Sequence, residues 1–203
     1  MKTTLAIALR ATLVTLGMAG IIYPFAVTAL AQVIFPHRAN GSFVADEQGH
    51  EVGSELIGQA FASPAYIHSR PSANSYDATN SGGTNFGVTA QKERDAVGSA
   101  AADFQTDTGA AVVPVDAVTS SASGLDPDVS PDTARAQVAR IAAARGVAPE
   151  RIAAVVDAAV AERALGFIGE PHVNVLDVNL ALDRKFGRPP SVATGATGAT
   201  MAK

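Results

Sequence analysis

The sequence predicts an α/β (α+β) domain that contains an αα-hairpin and is held outside the cytoplasm by a single N-terminal transmembrane helix. Three observations predict this. Residues 11–35 carry no charged side chain and end against Pro36, His37 and Arg38. Lys2 and Arg10 precede that run with no acid among the first ten residues, whereas Asp46, Glu47, Glu51 and Glu55 follow it closely. The rest of the chain mixes short apolar runs with segments of helical period, separated by Gly- and Pro-containing turns.

The apolar run comes first. At about 1.5 Å per residue its twenty-five residues would reach roughly 37 Å as a helix, longer than a hydrocarbon core of about 30 Å. A single lipid-exposed crossing must satisfy its own backbone groups, so helix is the form expected. Pro24 withdraws one donor and predicts a bend. The basic bias assigns residues 1–10 to the cytoplasm, 11–35 to the membrane and 36–187 to the outside. Ala29-Leu30-Ala31 offers a rival reading, a signal peptide cut before Gln32. The apolar stretch exceeds the usual signal length and continues through Val33, Ile34 and Phe35, which favours retention. Ala11, Thr15 and Ala19 form a small-residue row at i, i+4, i+8, with Gly20 on an adjoining face, the kind of surface that lets another helix approach closely.

Composition narrows the function of the outer domain. Beyond residue 38, twelve basic residues stand against nineteen acids, which leaves this part at −7 and argues against nucleic acid and against adhesion to anionic lipid. The chain has no Cys, so disulfides and thiol catalysis are excluded, and with no Trp and few aromatics the core must come from Val, Ile, Leu and Ala.

Within the domain, residues 42–46 and 51–57 flank a Glu47-Gln48-Gly49-His50 turn and predict a hairpin. Residues 54–61 suit a short helix, and Tyr66-Ile67-His68 a brief strand stopped by Arg70-Pro71. Residues 72–87 are almost all Ser, Asn, Thr, Gly and Asp, with Tyr76 and Phe86 as apolar pins; a polar loop this long is usually functional or mobile. Thr89 is a fair N-cap for a helix to about Gln105, with Val97, Ala100, Ala101 and Phe104 on one face. Residues 111–121 read as a strand with Pro114 at an edge or bulge. Ser130-Pro131-Asp132 starts a helix that Gly146 ends, and Pro149-Glu150 starts a second that buries Ile152, Val155, Val156, Ala159 and Val160 and stops at Gly166. The short turn makes these two an αα-hairpin. Residues 173–182 suit a strand entering a last short helix, and residues 188–203 a disordered tail.

Motifs that would carry chemistry are incomplete. The glycine-rich Ser81 to Gly87 stretch lacks the Lys of a phosphate loop and the G-x-G-x-x-G of a dinucleotide fold. Asp126, Asp128, Ser130 and Asp132 alternate like calcium ligands, but Pro131 and Gln137 occupy the places of the loop's Gly and Glu. His37, His50, His68 and His172 have no zinc-like spacing. Two alternatives to a partnered subunit stand: a tethered ligand-binding module without partners, and a hydrolase released at Ala31, which would have to pair Ser121 or Ser123 with His68 and which no G-x-S-x-G elbow supports. The paired helices from Asp132 to Arg163 could mimic a helix-turn-helix, but the second is net acidic. No catalytic residue and no metal site is assigned.

Five ordered motifs carry a resemblance: Gly53-Ser54-Glu55-Leu56-Ile57-Gly58-Gln59; Tyr66-Ile67-His68-Ser69-Arg70-Pro71-Ser72-Ala73; Ser81-Gly82-Gly83-Thr84-Asn85; Val118 through Pro127 with its Ser123-Gly124-Leu125-Asp126 turn; and Asn174 through Asp183. Together with the N-terminal span these resemble the C-subunit family (KdpC) of the bacterial Kdp potassium-transporting ATPases, over roughly residues 5–186. The resemblance implies a non-catalytic accessory subunit of a high-affinity, ATP-driven potassium uptake complex. It would assist assembly or act as a catalytic chaperone that raises the ATP affinity of the P-type ATPase subunit. The implied partners are that subunit and a channel-like potassium-binding subunit, which handle ATP and potassium, so this chain needs no cofactor of its own. The family's nucleotide-associated glutamine corresponds to Gln137. Expected partner contacts are Ala11, Thr15, Ala19 and Gly20 in the anchor, with Arg70, Ser81, Gly82, Gly83, Ser123, Gly124, Leu125 and Asp126 in the domain. Departures are Ile67 and Ser69, where the family more often has Phe and Pro or Gly, and Asp128, where His is frequent.

Overall fold

The computed structural model describes residues 2–46 and 48–189; Glu47 of the predicted turn and residues 190–203 of the predicted tail lie outside the described residues. The chain divides into two units, Met1–Val44 and Ala45–Lys203.

The first unit is helical from Lys2 to Ile34, 33 residues that include both Lys2 and Arg10 and rise about 50 Å. It is long and apolar enough to cross a membrane, and its apolar side chains lie bare on every side, as a helix surrounded by lipid would have them. The helix is not uniform. α1 (Lys2–Gly17) passes through a π-helical turn, Met18–Ile22, into α2 (Tyr23–Ile34), with Pro24 in the first turn of α2. Proline's missing N–H and its ring both disrupt the i−4 ladder of the preceding turn, and a widened turn is one way a helix absorbs that. After Phe35, the one-turn helix α3 (Pro36–Ala39) is closed by Asn40, whose amide donates to Pro36 O at 2.7 Å.

β1 (Phe43–Ala45) and β2 (Glu51–Ser54) form a two-stranded sheet. In the turn between them the Asp46 carboxylate accepts from the N–H groups of Gln48 and His50, a local pattern that favours Asp at a turn. The domain core lies further on. β3 (Asp128–Val129), β5 (His172–Asn174) and β4 (Val160–Ala161) make a small antiparallel sheet in that order, with Val173 opposite both Val129 and Val160. Around it pack α5 (Pro131–Ala136), α6 (Val138–Arg145), α7 (Pro149–Ala158) and α8 (Val175–Phe186). Val138, Ile141, Ile152, Val155, Val156, Val175, Val178 and Leu182 form one continuous core, built from aliphatic side chains as the composition required.

Helix starts follow the sequence chemistry. Ser130 caps α5 by accepting from Thr133 N, Gly146 closes α6 in the left-handed conformation, and Asn174 caps α8 by accepting from Asp177 N. α4 (Gln91–Thr108) differs: its N-cap is Ala90, with no side-chain cap, rather than the expected Thr89, and it runs three residues past Gln105; it has no fully buried residue, and the expected Val97, Ala100, Ala101 and Phe104 are among its half-buried ones.

Several expected elements differ. Residues 54–61 form a turn and extended chain rather than a helix, because β2 runs into Ser54 and Gly58 N is claimed by Leu125 O at 2.8 Å. Residues 111–121 are turns rather than a strand: Pro114 offers no donor, and Asp116 is drawn away to bind Ser130 and Thr133. The first of the paired helices breaks at Gln137 into α5 and α6, and the second ends at Ala158 because residues 160–161 pair in the sheet. Only three residues near 173 are strand. From Val175 the spacing of buried 175, 176, 178, 179, 180 and 182 is helical.

Candidate functional site

Residues 67–72 belong to no helix, strand or turn, and the backbone groups of buried Ile67 and half-buried His68 must be satisfied without a neighbouring strand. Two side-chain amides do this. Asn179 of α8 accepts from Ile67 N at 2.8 Å and donates to Ile67 O at 2.9 Å. Gln137, between α5 and α6, accepts from His68 N at 2.8 Å and donates to His68 O at 3.2 Å. Each amide presents a donor and an acceptor side by side, as a β-strand partner would, so the predicted strand at 66–68 is bonded like one yet pairs with helices. Both amides are 1% exposed. Gln137 also donates to Thr133 O and accepts from Arg140 Nη2, so the residue linked to nucleotide by resemblance has its whole amide engaged internally.

Charged groups fix the flanks of this segment. Arg140 donates to Pro64 O at 3.0 Å, lies 3.1 Å from His68 Nε2 and pairs with Asp107 at the end of α4 at 3.0 Å. Burial first, and the Arg140 cation second, hold the His68 pKa below its ordinary value, which favours the neutral ring; its Nε2 lies 3.1 Å from both Arg140 Nη1 and Ser63 O, and the tautomer sets which of the two it bonds. Arg145 donates to Ala65 O at 2.7 Å and to Asp183 at 2.8 Å, lies over the Tyr66 ring, and Tyr66 in turn donates to Asp183 at 2.8 Å. Burial and then the Asp183 contact raise the Tyr66 pKa, which keeps the phenol a donor.

The polar loop and the Ser-Gly-Leu-Asp turn meet on one wall. Arg70 pairs with Asp126 at 2.8 Å and reaches Thr119. Gly82 N donates to Ser123 O at 2.8 Å and the Ser81 hydroxyl to the same oxygen at 3.2 Å. Ser121 N donates to Pro71 O at 3.1 Å, and the Ser72 hydroxyl sits 2.7 Å from Gly124 O. Two glycines permit this closeness: a Cβ on Gly83 would stand 2.9 Å from Ala122 O, and on Gly124, whose φ is +69°, 2.7 Å from Gly82 O. The structure therefore brings Arg70, Ser81, Gly82, Gly83, Ser123, Gly124, Leu125 and Asp126 together. Gly124 and Leu125 face inward, while Ser81 is exposed. Ala11, Thr15, Ala19 and Gly20 lie in the other unit, with open space beside Gly20.

The alternatives weighed from sequence find other uses for their residues. His68 Nε2 sits with Arg140 and Ser63 rather than with Ser121 or Ser123, and Ser123 Oγ accepts from Leu125 N. Asp126 serves Arg70 and Asp128 N, and Asp128 accepts from Asn174. Burial, ahead of the opposing pull of His172, raises the Asp128 pKa. Asp107, Arg140, Arg145, Asn179 and Asp183 were not singled out from sequence. The available signal was a polar residue inside an apolar helical face: Arg140 between Val138 and Ile141, and Asn179 between Val178 and Leu180.

Comparison with known proteins accounts for the motifs. The family model for the K+-transporting ATPase, c chain (KdpC), matches residues 5–184. A potassium-transporting ATPase KdpC subunit of Myxococcus xanthus is 52% identical over 202 residues, covering 98% of this chain and 96% of that protein. Proteins of the same name from Allorhizobium ampelinum and Caulobacter vibrioides are 51% and 47% identical, and cover 87% and 90% of this chain. With the match running from the apolar helix through the amide-clamped segment to α8, the chain belongs to the KdpC family, the c chain of K+-transporting ATPases.

Proposed function

We propose that this chain is a single-pass accessory subunit of a high-affinity, ATP-driven potassium uptake complex in the cytoplasmic membrane. Its N-terminus lies inside and its domain, with α6 and α7 as an αα-hairpin, lies outside. The anchor would pack through Ala11, Thr15, Ala19 and Gly20 against a channel-like potassium-binding subunit. The wall around Arg70, Ser81 and Asp126 would rest on the outer face of the complex, beside the P-type ATPase subunit's partners in the membrane. Hydrolysis of ATP and selection of potassium belong to those partners, and this chain contributes no catalytic group.

The observation that carries the reading is the wall itself: loops from three parts of the sequence are pinned by an ion pair and by backbone bonds before any partner arrives, which lowers the ordering cost of docking. In this reading Gln137 supports assembly by holding residues 64–70 in shape, and any rise in the ATP affinity of the ATPase subunit is transmitted through the assembled complex. The acidic domain would raise the local cation concentration modestly, an effect that salt screens within about 8–10 Å. The test is potassium-dependent ATPase activity in membranes with and without this chain. Loss of activity on deletion is expected; unchanged activity would reject the subunit reading.

A further inference from the structure

The connection between β4 and β5 carries an apolar knuckle. Leu165, Phe167 and Ile168 are 83%, 72% and 52% exposed, three large side chains within four residues. The knuckle is ordered by its own backbone: Ala164 and Ile168 exchange two hydrogen bonds of 2.9 Å, and Phe167 N donates to Ala164 O at 3.3 Å. Leu165 has φ +53° and Gly166 +81°, consecutive left-handed residues in the three-residue loop that Ala164 and Ile168 close. Leucine rarely adopts that conformation, and here it leaves the side chain bare rather than buried. Arg163 and Glu170 close the base of the knuckle with an ion pair. Beside the base runs an open groove lined by Asp132, Arg135, Glu162 and Glu170, where the acids outnumber the cations.

We propose that this knuckle is a docking plug: Leu165, Phe167 and Ile168 seat in an apolar socket, rimmed by Lys or Arg, on another protein subunit of the assembly. The inference rests on the subunit reading above and adds a contact that the polar wall does not provide. Exposed apolar clusters of this kind mark interaction sites, and a preformed aromatic anchor is the type of group that dominates an interface. The charge around it selects the occupant. An acidic border on a domain of net −7 is repelled by an anionic bilayer surface and by a second copy of itself, and is complementary to a basic-rimmed protein surface.

The chain contains no Trp, so Phe167→Trp places a single fluorescent reporter on the plug. The full chain carrying it is compared alone in phosphatidylcholine–phosphatidylglycerol nanodiscs and in the purified complex. A blue shift only in the complex is expected. A blue shift with the chain alone would assign the plug to lipid if independent of dilution, or to self-association if dilution removes it, and either result overturns the proposal. In parallel, affinity-tagged full chains are used to recover partner subunits in mild detergent. Leu165→Ser/Phe167→Ser should reduce recovery about tenfold or more, while Val112→Ser, at an exposed valine away from the knuckle, leaves it unchanged. Full recovery with the double variant rejects the plug and leaves the subunit reading standing. No recovery with the unmodified chain rejects both.

Discussion

Replacing Gln137 with Leu separates a structural role from a nucleotide-binding one. The substitution keeps most of the volume and removes four internal bonds: those with His68 N and O, with Thr133 O, and with Arg140 Nη2. Stranding a buried backbone donor or acceptor costs about 1–3 kcal/mol, and a buried charge more. Set against the apolar surface gained, a net loss of about 3 kcal/mol is expected, close to a 150-fold rise in the opening constant of the core. Amide hydrogen exchange on the full chain in detergent reads this directly in α6 and α8, and is unaffected by the micelle-embedded helix. Protection should fall by that order. A change below about fivefold, accompanied by weakened nucleotide affinity in the purified complex, would refute the structural account and return Gln137 to the nucleotide.

Arg145→Leu should cost about 3 kcal/mol, because Asp183 would remain buried beside Tyr66 with only the exposed Arg188, 3.6 Å away, as its cation; hydrogen exchange in α8 checks it, and an unchanged value would mean that Arg188 suffices. Asp116 sets an acid limit. Burial alone would raise its pKa, but the N–H of Ser130 and the hydroxyls of Thr133 and Ser130 together hold it below the ordinary carboxylate value. A depressed carboxylate stabilises the fold above its unfolded value of about 3.9 and loses that contribution as pH falls through the native value. Asp116→Asn should therefore cost about 1–2 kcal/mol at pH 7, allowing for solvent on its open side, and progressively less as the pH falls from about 3.9 through the native value; a loss independent of pH across the whole acid range would contradict this. Gly124→Ala should disrupt the loop wall, whereas Gly82→Ala, with nothing within 4 Å of the added methyl, should fold normally. Limited proteolysis of residues 70–83 distinguishes them, and equal cleavage of both variants would show that the close approach is unimportant.

Elements governed by local chemistry were legible in the sequence. The uncharged run, the Ser130-Pro131-Asp132 start, the Gly146 stop and the buried face of α7 each depend on residues next to one another, and the structure places them as expected. Elements governed by distant partners were not. The valines at 112 and 115 mimic a strand, but Asp116 finds its donors fourteen to seventeen residues later, so the segment turns and leaves both valines exposed. Residues 66–68 read as a strand in the sequence, and only the fold reveals that amides from 69 and 112 residues away bond their backbone in place of a neighbouring strand. For the site, the glycine and Arg70 motifs pointed to the right loops, while Asp107, Arg140 and Asp183, whose meaning depends on burial, did not announce themselves.

The π-helical turn at Met18–Ile22 has a consequence for how neighbours share the anchor. Widening one turn adds a residue to it, and at 3.6 residues per turn this rotates everything downstream by about 100° relative to an uninterrupted helix. The smooth track begun by Ala11 and Thr15 therefore ends within the widened turn, at Ala19 and Gly20, and the bulky Tyr23, Phe25 and Val27 turn toward a different azimuth. A straight rod laid along the first half would meet a different side of the second, so one slender span presents two differently directed faces.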